Sequence, residues 1–187
     1  TSDEAGGWHK SVSGPTAGNT TIFLDGSNFA PGALVIINGS ECADVEFISY
    51  EKLRCATPPG MGVDHTVIVR VGGQESPDDA AVTFSYDGPI ISGFTPNPAD
   101  ARGDDVVVIG NNFGDPAFAA SVDVTVGRKR CSSAARTSND EITCRTDTLS
   151  VGPHMVEVFI GGRPATAAPY APSSVFTLNV ECKPGFY

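Results

Sequence analysis

The sequence is poor in charged residues, in basic residues above all, and in long apolar runs. Charged residues make up 18% of the 187 residues, below the roughly 25% usual for soluble domains. Twelve basic residues against 22 acidic ones leave a net charge of −10. This charge argues against nucleic acid and against an anionic lipid surface as partners. Apolar runs such as Val106 to Ile109 are far shorter than the ~18 residues of a membrane span, so we expect no membrane insertion in this segment.

Catalytic motifs are missing as well. The sequence contains no Gly-x-Ser-x-Gly elbow, no P-loop and no His-Glu-x-x-His, each of which would place reactive groups together. An enzyme needs a nucleophile or base, an orienting group and an oxyanion donor in one place, and no such combination is present. We therefore predict a non-enzymatic protein without a cofactor. We interpret His65 and His154, which occupy equivalent positions, as structural or exposed residues.

The chain contains an internal repeat. Cys42 and Cys55 are 13 positions apart, as are Cys131 and Cys144, and the second pair follows the first by 89 positions. A second match, at an offset of 84, joins the segments GSNF and GNNF, which begin at Gly26 and Gly110. The change of offset indicates an insertion around residues 115–121. Landmarks in the same order predict two copies of one module of roughly 85 to 90 residues.

Each copy has the pattern of a β-sandwich. The segments that begin at Thr66 and Met155 are rich in β-branched residues, and their apolar side chains alternate with period two, which predicts strands with one buried face. No stretch keeps a helical period for ten residues. The other predicted strands are separated by short turns, as in immunoglobulin-like domains; they are Thr20–Leu24, Ala33–Ile37, Val45–Ile48, Lys52–Ala56, Ala81–Tyr86, Ile90–Phe94, Asp105–Ile109, Val122–Val126, Glu141–Arg145 and Val175–Val180.

The domain organisation follows from the repeat. We predict an all-β protein whose two tandem immunoglobulin-like sandwiches cover residues 11–87 and 88–181. Residues 1–10 would be an N-terminal segment or the end of a preceding module, and 182–187 the start of a cysteine-rich module. The junction Asp87-Gly88-Pro89 is too short for a flexible tether. We therefore expect the two sandwiches to be arranged end to end as a short rod.

The five cysteines predict one disulfide in each module. The equivalent pairs suggest the bonds Cys42–Cys55 and Cys131–Cys144. By closing its loop, each disulfide would stabilise the fold by about 3 kcal/mol in the chain-entropy model. Zinc is the alternative, but its four ligands would come from two modules without any CxxC spacing. Cys182 is left over. Its partner lies beyond Tyr187, or it is a free or intermolecular thiol.

Two sequons agree with an oxidising compartment. Asn19-Thr-Thr21 and Asn38-Gly-Ser40 fit the acceptor pattern for N-linked glycans, and disulfides persist outside the cytosol. We expect an extracellular protein, secreted or on the cell surface. Because the chain begins at Thr1 and carries an odd cysteine, we also expect a processed product or a piece of a longer protein.

Crowded carboxylates are the remaining candidates for a site. Asp100, Asp104 and Asp105 share one loop, and calcium prefers clustered oxygen ligands. Their spacing matches no calcium-binding loop, and acidic turns are ordinarily just solvated. We predict no metal site and keep these three residues as the calcium candidates.

Several segments resemble IPT/TIG domains. GPTAGNTTIFLDGSNF begins at Gly14, CATPPG at Cys55 and SGFTPNPADARGDDVVVIGNNFG at Ser92. The family comprises immunoglobulin-like modules of plexins, growth-factor receptors, fibrocystin-like proteins and protist or algal surface proteins. The second copy departs from the pattern where Arg145-Thr-Asp-Thr148 replaces the proline turn. The first copy lacks the usual proline stretch at its first strand, before Gly14. The tail that begins at Cys182 resembles the opening of an EGF-like or ephrin-receptor-like repeat.

The resemblance leaves more than one function open. The leading hypothesis is a structural and adhesion module pair of a large glycoprotein, for example in a fibrous assembly such as a ciliary hair. Its partners would be other protein modules of the same or a neighbouring chain, together with N-linked glycans. The alternatives are the ligand-binding ectodomain of a plexin-like or fibrocystin-like receptor, and an accessory domain of a secreted carbohydrate-active enzyme. A transcription-factor branch of the fold conflicts with the acidity and the paired cysteines.

Peptide mapping by mass spectrometry under non-reducing conditions tests the compartment and the pairing together. We expect one linked peptide pair that contains Cys42 and Cys55 and another that contains Cys131 and Cys144, because the repeat makes the two pairs equivalent. Finding all four as free thiols would contradict both the disulfides and the extracellular location.

Overall fold

The chain folds as two β-rich units. The structure, a computed structural model, describes residues 12–77, 82–168 and 176–184. The units divide after Asp87, and within the described residues they are built of strands without an α-helix. The described residues contain no helix of the length and apolarity that a membrane span requires. The prediction of an all-β chain with two tandem sandwiches is confirmed.

The first unit contains two sheets. The larger sheet has the order β1-β9-β7-β3-β4, with β8 paired to β7, and the smaller one has the order β2-β6-β5. Its strands are β1 Val12–Gly14, β2 Thr21–Asp25, β3 Leu34–Ile37, β4 Ser40–Glu41, β5 Ala43–Ser49, β6 Lys52–Ala56, β7 His65–Val71, β8 Gln74–Glu75 and β9 Thr83–Tyr86. The strand β1 runs parallel to β9, so the first strand pairs within the sheet although the proline stretch before Gly14 is missing.

The second unit repeats this arrangement with one addition. One sheet has the order β15-β16-β12-β10-β19, and the other β11-β20-β17-β13-β14, with β18 paired to β17. The strands are β10 Ile90–Thr95, β11 Ala99–Asp100, β12 Asp105–Asn111, β13 Val122–Val126, β14 Lys129–Arg130, β15 Ser132–Arg136, β16 Glu141–Arg145, β17 Gly152–Ile160, β18 Arg163–Pro164, β19 Thr166–Ala167 and β20 Thr177–Glu181. Relative to the described residues of the first unit, the addition is the parallel pair of β10 and β19, in which β10 also pairs with β12.

Each core is built by alternation along the central strands. On β17, Val156, Val158 and Ile160 are buried while Glu157 between them is exposed. On β7, Val67 and Val69 are buried and Val71 is partly buried against the same cluster. Successive side chains of a strand point to opposite faces of a sheet, so the period-two pattern of both strands was correctly assigned to the core.

The two modules close the same loop with different side chains. In the first, the hydroxyl of buried Tyr86 donates to the carbonyl oxygen of Pro58 at 2.9 Å. Its ring lies so close to Gly60 that a β-carbon there would overlap it. In the second module the positions of Gly60 and Tyr86 are taken by Leu149 and Val180, both buried. A larger residue in the loop is therefore matched by a smaller one on the strand, which explains how the module folds without the proline turn.

The insertion in the second module is anchored by a buried arginine. Arg136 on β15 is 8% exposed and occupies the position of Phe47 on β5. Its guanidinium donates to the carbonyl oxygen of Phe113 at 3.0 Å and also to that of Phe118, inside the insertion. Burial lowers the pKa of Arg136, and Asp115 opposes that shift. The inserted residues 115–121 are thus held to the sheet by hydrogen bonds rather than by an apolar side chain.

Substituting Gly60 tests whether the side-chain volumes at the Gly60 and Tyr86 positions compensate each other, as they do between the two modules. Gly60→Ala should lower the free energy of unfolding of the first module by about 1–3 kcal/mol, the usual cost of overpacking, because the methyl group overlaps the Tyr86 ring. The double variant Gly60→Leu with Tyr86→Val copies the second module and should unfold at a higher urea concentration than Gly60→Leu alone.

The matched control is Gly93→Ala, because a β-carbon at Gly93 has no atom within 4 Å. Equal losses from Gly60→Ala and Gly93→Ala, measured by urea unfolding, would show that the Tyr86 ring is not what excludes a side chain.

Candidate interaction and modification sites

One of the two predicted cysteine pairs is bonded. Cys131 and Cys144 form a disulfide with a Cα–Cα distance of 5.6 Å. The two cysteines immediately precede Ser132 and Arg145, which face each other across β15 and β16. This register brings the thiols together on the buried side of the sheet. The Cys131–Cys144 bond, which the equivalent positions of the cysteines predicted, joins the start of the edge strand β15 to β16.

The first module holds its cysteine pair in the same register. Ala43 and Ala56 face each other across β5 and β6, and Cys42 and Cys55 precede them. Both thiols are buried and are not bonded to each other in the structure. A hydrogen bond between them lowers the pKa of Cys42 and raises that of Cys55, and burial raises the pKa of Cys55 further. The Cys42–Cys55 disulfide stays a prediction.

Both sequon asparagines are exposed on turns of the first module. Asn38 and Gly39 have φ angles of 50° and 77°, the conformation of a type I′ hairpin turn, between β3 and β4. Asn19 has a φ of 59°, and its backbone N–H donates to the carbonyl oxygen of Thr57 at 2.8 Å. Their side chains are thus accessible to a glycosyltransferase, while their occupancy stays a prediction.

The three calcium candidates are each paired with a cation. The Arg102 guanidinium contacts Asp100 at 2.9 Å, the Lys183 ammonium contacts Asp104 at 2.8 Å, and Arg145 contacts Asp105 at 3.1 Å. Among residues 12–77, 82–168 and 176–184, no group of three or more His, Cys, Asp or Glu side chains could hold a metal ion. The loop is organised by ion pairs.

Ion pairing lowers the pKa values of the carboxylates in this loop. Hydrogen bonds from the side chain and backbone of Arg102 hold the pKa of Asp100 at about 2. The hydrogen bond from Lys183 is the largest cause that lowers the pKa of Asp104, and it also raises the pKa of Lys183. Both carboxylates are therefore ionised at neutral pH.

The start of the C-terminal tail is tied to the same loop. Lys183 binds Asp104, and the Arg102 guanidinium donates to the Lys183 carbonyl oxygen at 3.2 Å. Cys182 lies between β20 and these contacts, and its side chain is exposed. Sequence reasoning singled out Cys182 but missed Arg102 and Lys183, because the 81 positions between them give no local signal. Whether a cysteine-rich module begins here stays a prediction, since residues 185–187 lie outside the described part of the chain.

The two equivalent histidines close equivalent loops. In the first module a hydrogen bond of 2.8 Å joins His65 Nε2, as donor, to the carbonyl oxygen of Met61. In the second, His154 Nε2 makes the same bond to the carbonyl oxygen of Ser150 at 2.7 Å. Each bond reaches back four residues to the loop that precedes the central strand. The repeated geometry explains the repeated residue without catalysis.

The exposed faces of the larger sheets differ between the modules. In the first, Ile36 and Ile68 face each other across β3 and β7 and are half-buried, beside Leu34, which is 38% exposed. In the second module, Thr125 and Glu157 take the two isoleucine positions and are joined by a hydrogen bond of 3.1 Å. The Ile36–Ile68 pair of the first module is thus replaced by a polar pair in the second, where Met155 and Phe159 are the exposed apolar side chains of the same face of β17. The sequence alone did not predict this difference, because in both modules the side chains of these faces simply alternate with core side chains along the strand.

The two units are β-sandwiches whose cysteine pairs occupy equivalent positions, and the first also carries both sequons. Among the described residues, no reactive groups are clustered. These features define tandem immunoglobulin-like modules. The IPT/TIG domain family matches residues 10–86 and 89–177. The chain therefore belongs to the IPT/TIG domain family, whose modules are non-catalytic.

A curated relative is much longer than this chain. Fibrocystin-L of Mus musculus is 31% identical over 151 residues, which cover 79% of this chain and 3% of fibrocystin-L. This chain thus spans about 3% of the length of the curated relative. Family membership, this relative and the disulfide are consistent with an extracellular module of the receptor or adhesion type.

A solved structure with a TM-score above 0.5 shares the fold, and a second one is similar over less of its structure. The surface glycan-binding protein PbSGBP-B from Prevotella bryantii superposes with a TM-score of 0.57 at 14% identity, over 88% of this chain and 38% of that one. The full extracellular region of plexin A4 gives a TM-score of 0.43 at 19% identity, over 90% of this chain and 17% of that one.

The Arg102–Asp100 contact makes a prediction about pH. Carboxyl chemical shifts followed by NMR should report a pKa near 2 for Asp100. Arg102→Ala should raise that pKa toward the ordinary value of about 3.9. Because the folded-state pKa is lowered, the stabilisation by Asp100 is present above the ordinary value and is lost as the pH falls toward 2.

The control variant is Arg128→Ala, which removes another exposed arginine of the same module and should leave the Asp100 titration unchanged. An Asp100 pKa that does not move in Arg102→Ala would contradict the assignment of the shift to this contact.

Proposed function

We propose that this chain is a non-enzymatic module pair of a large extracellular glycoprotein, which acts as a spacer and presents surfaces for contact with other protein modules. Membership in the IPT/TIG family supports the class of protein. A fibrous surface assembly such as a ciliary hair is the specific setting that we propose.

The observation that supports the spacer function is the hydrogen bonding of the chain on either side of Gly88. The backbone N–H of Asp87 donates to the Gly14 carbonyl oxygen at 2.8 Å, inside the first module. The Pro89 carbonyl oxygen accepts from the Thr166 N–H at 2.9 Å, inside the second. Only Gly88 separates residues that are bonded to their own modules. Such a linker leaves few free dihedral angles, which supports restricted motion between the modules.

The aliphatic face of the first module supports the contact function. Ile36, Ile68 and Leu34 lie on the exposed side of the larger sheet. Apolar side chains gathered on a surface are typical of sites that other proteins cover. The equivalent face of the second module carries Thr125 and Glu157 at the isoleucine positions, and it exposes Met155 and Phe159 beside them on β17. We propose that both modules present such faces for contact with other protein modules.

Glycans and disulfides complete the proposal. The exposed turns at Asn19 and Asn38 would carry N-linked glycans, and Cys42 and Cys55 would form the counterpart of the Cys131–Cys144 bond. Both modifications suit a secreted or cell-surface address. The exposed Cys182 would join a cysteine of the longer chain.

A fibrocystin-like receptor ectodomain is the second candidate. The observation in its favour is the 31% identity to mouse fibrocystin-L over 151 residues. In that case the same two modules would belong to a ligand-binding surface of a membrane-anchored protein.

Residual dipolar couplings measured by NMR test the spacer function. If the junction restricts motion, couplings from both modules should fit one common alignment tensor. Inserting a flexible Gly-Ser stretch after Gly88 should separate them into two tensors of different magnitude, because each module would then tumble by itself. The same insertion between Gly72 and Gly73, in the β7–β8 turn, is the control and should leave one tensor. Two independent tensors for the unmodified chain would overturn the proposal.

A further inference from the structure

The outer face of the smaller sheet in the first module carries an exposed aromatic ring. Phe23, at the centre of β2, is 56% exposed. Arg54 lies opposite it on β6, and Glu46 lies opposite Arg54 on β5. The Lys52 ammonium lies 6.0 Å from the centre of the Phe23 ring. One apolar ring is therefore bordered by side chains that donate and accept hydrogen bonds.

An aromatic ring with polar neighbours has the chemistry that binds a sugar. One side of a pyranose ring presents C–H groups, which pack on the apolar face of an aromatic ring, while the hydroxyl and N-acetyl groups at its edge form hydrogen bonds. The Arg54 guanidinium forms an ion pair with Glu46, and Lys52 pairs with Asp25 at 3.2 Å. Because a guanidinium has five N–H donors and an ammonium three, these half-exposed side chains keep donors for a neighbouring sugar.

A glycan acceptor lies at one end of the same strand. Asn19 of the first sequon is exposed and lies four residues before Phe23. Within β2, the exposed side chains of Thr21 and Phe23 point to the same outer face, because side chains of a strand alternate. At a rise of about 3.3 Å per residue, the backbone from Asn19 to Phe23 spans at most about 13 Å. The asparagine side chain and the pair of N-acetylglucosamine sugars that begins an N-linked glycan cover this distance.

The attachment point is held in place by Thr57. The backbone N–H of Asn19 donates to the Thr57 carbonyl oxygen at 2.8 Å, and the N–H of Thr20 donates to the Thr57 hydroxyl oxygen at 3.1 Å. Asn19 has a φ of 59°, a left-handed conformation that asparagine adopts more readily than most other residues. A fixed attachment point lowers the entropy that a glycan loses when it packs on the sheet.

The second module lacks the aromatic ring and the acceptor together. The match of GSNF with GNNF places Val107 at the position of Phe23 and Gly103 at the position of Asn19. The counterparts of the paired arginine and glutamate are uncharged; they are Thr143 and Ala135. The sequon and the aromatic face are thus both present in one copy of the module and both missing from the other, as expected if they act together.

We infer that the N-linked glycan at Asn19 lies back along β2 and that its first sugars pack on the Phe23 ring. Arg54 and Lys52 then donate hydrogen bonds to these sugars. The inference rests on the occupancy of Asn19, which is part of the proposed function, and it deepens that function by assigning the outer face of the smaller sheet to the chain's own glycan. The face left for other protein modules is that of the larger sheet, with Ile36.

NMR of the secreted chain tests the contact. The variant Ser40→Ala, produced in the secretory pathway of eukaryotic cells, keeps Asn19 as its single sequon. Sugar C–H protons should show nuclear Overhauser effects to the Phe23 ring and an upfield shift, because an aromatic ring shields protons above its face. Both signals should be lost in Ser40→Ala with Phe23→Leu. A contact that develops only as the protein concentration rises would overturn the inference by assigning the ring to the glycan of a second molecule.

Mass spectrometry of the same sample separates this inference from the proposed function. An Asn19 that carries no glycan would overturn both the inference and the glycan part of the proposed function. An occupied Asn19 whose sugars show no contact with Phe23 would overturn the inference alone.

Urea unfolding measures whether the contact stabilises the first module. Enzymatic removal of the whole glycan, which converts Asn19 to aspartate, should lower the urea midpoint of Ser40→Ala and should lower it much less when Phe23→Leu is added, because contacting groups are coupled. Tyr50→Leu is the matched control, since Tyr50 is 71% exposed in the β5–β6 turn, at the far end of β2 from Asn19. It should leave the full effect of the glycan. The same loss with and without Phe23 would contradict the packing.

Discussion

The structure depends on a single constraint, that both sheets of each module must bury one face against the other. The central strands meet it by alternation, with Val67 and Val69 inward on β7 and Val156, Val158 and Ile160 inward on β17. Removing apolar surface from water is the main favourable term in folding. Every other feature, from the disulfide to the loop hydrogen bonds, stabilises the rims of these two layers.

The rims show how one architecture tolerates different residues. Thr57 and Thr146 are both buried, and each hydroxyl oxygen accepts from the backbone N–H of the residue just before β2 or β12. The donors are Thr20 at 3.1 Å and Asp104 at 2.9 Å. Around this shared contact the large and small residues change positions between the modules. Tyr86 packs against Gly60 in the first, and buried Val180 and Leu149 take the equivalent positions in the second. Conserving the total volume of a site keeps a core packed when individual residues change.

Much of the fold was predictable because the alternation is local. The strands Lys52–Ala56, Val122–Val126 and Glu141–Arg145 have the bounds that were predicted, and most others differ by one to three residues. The strand β15 was missed because Ser132-Ser-Ala-Ala-Arg136 has neither alternation nor β-branched residues. It forms because β16 offers an edge and because Arg136 finds carbonyl partners. The candidate sites were less predictable, since Arg102 and Lys183 approach the aspartate loop only through the fold.

What the sequence by itself determined is the module count, the fold family and the positions of the cysteine pairs, because repeats, alternation and spacing are carried by neighbouring residues. Only the tertiary structure decided that the aspartates at 100, 104 and 105 are each bound to a cation and that Arg136 holds the inserted loop by hydrogen bonds. Those features join residues far apart in the chain, and their contacts are set by packing rather than by local preference.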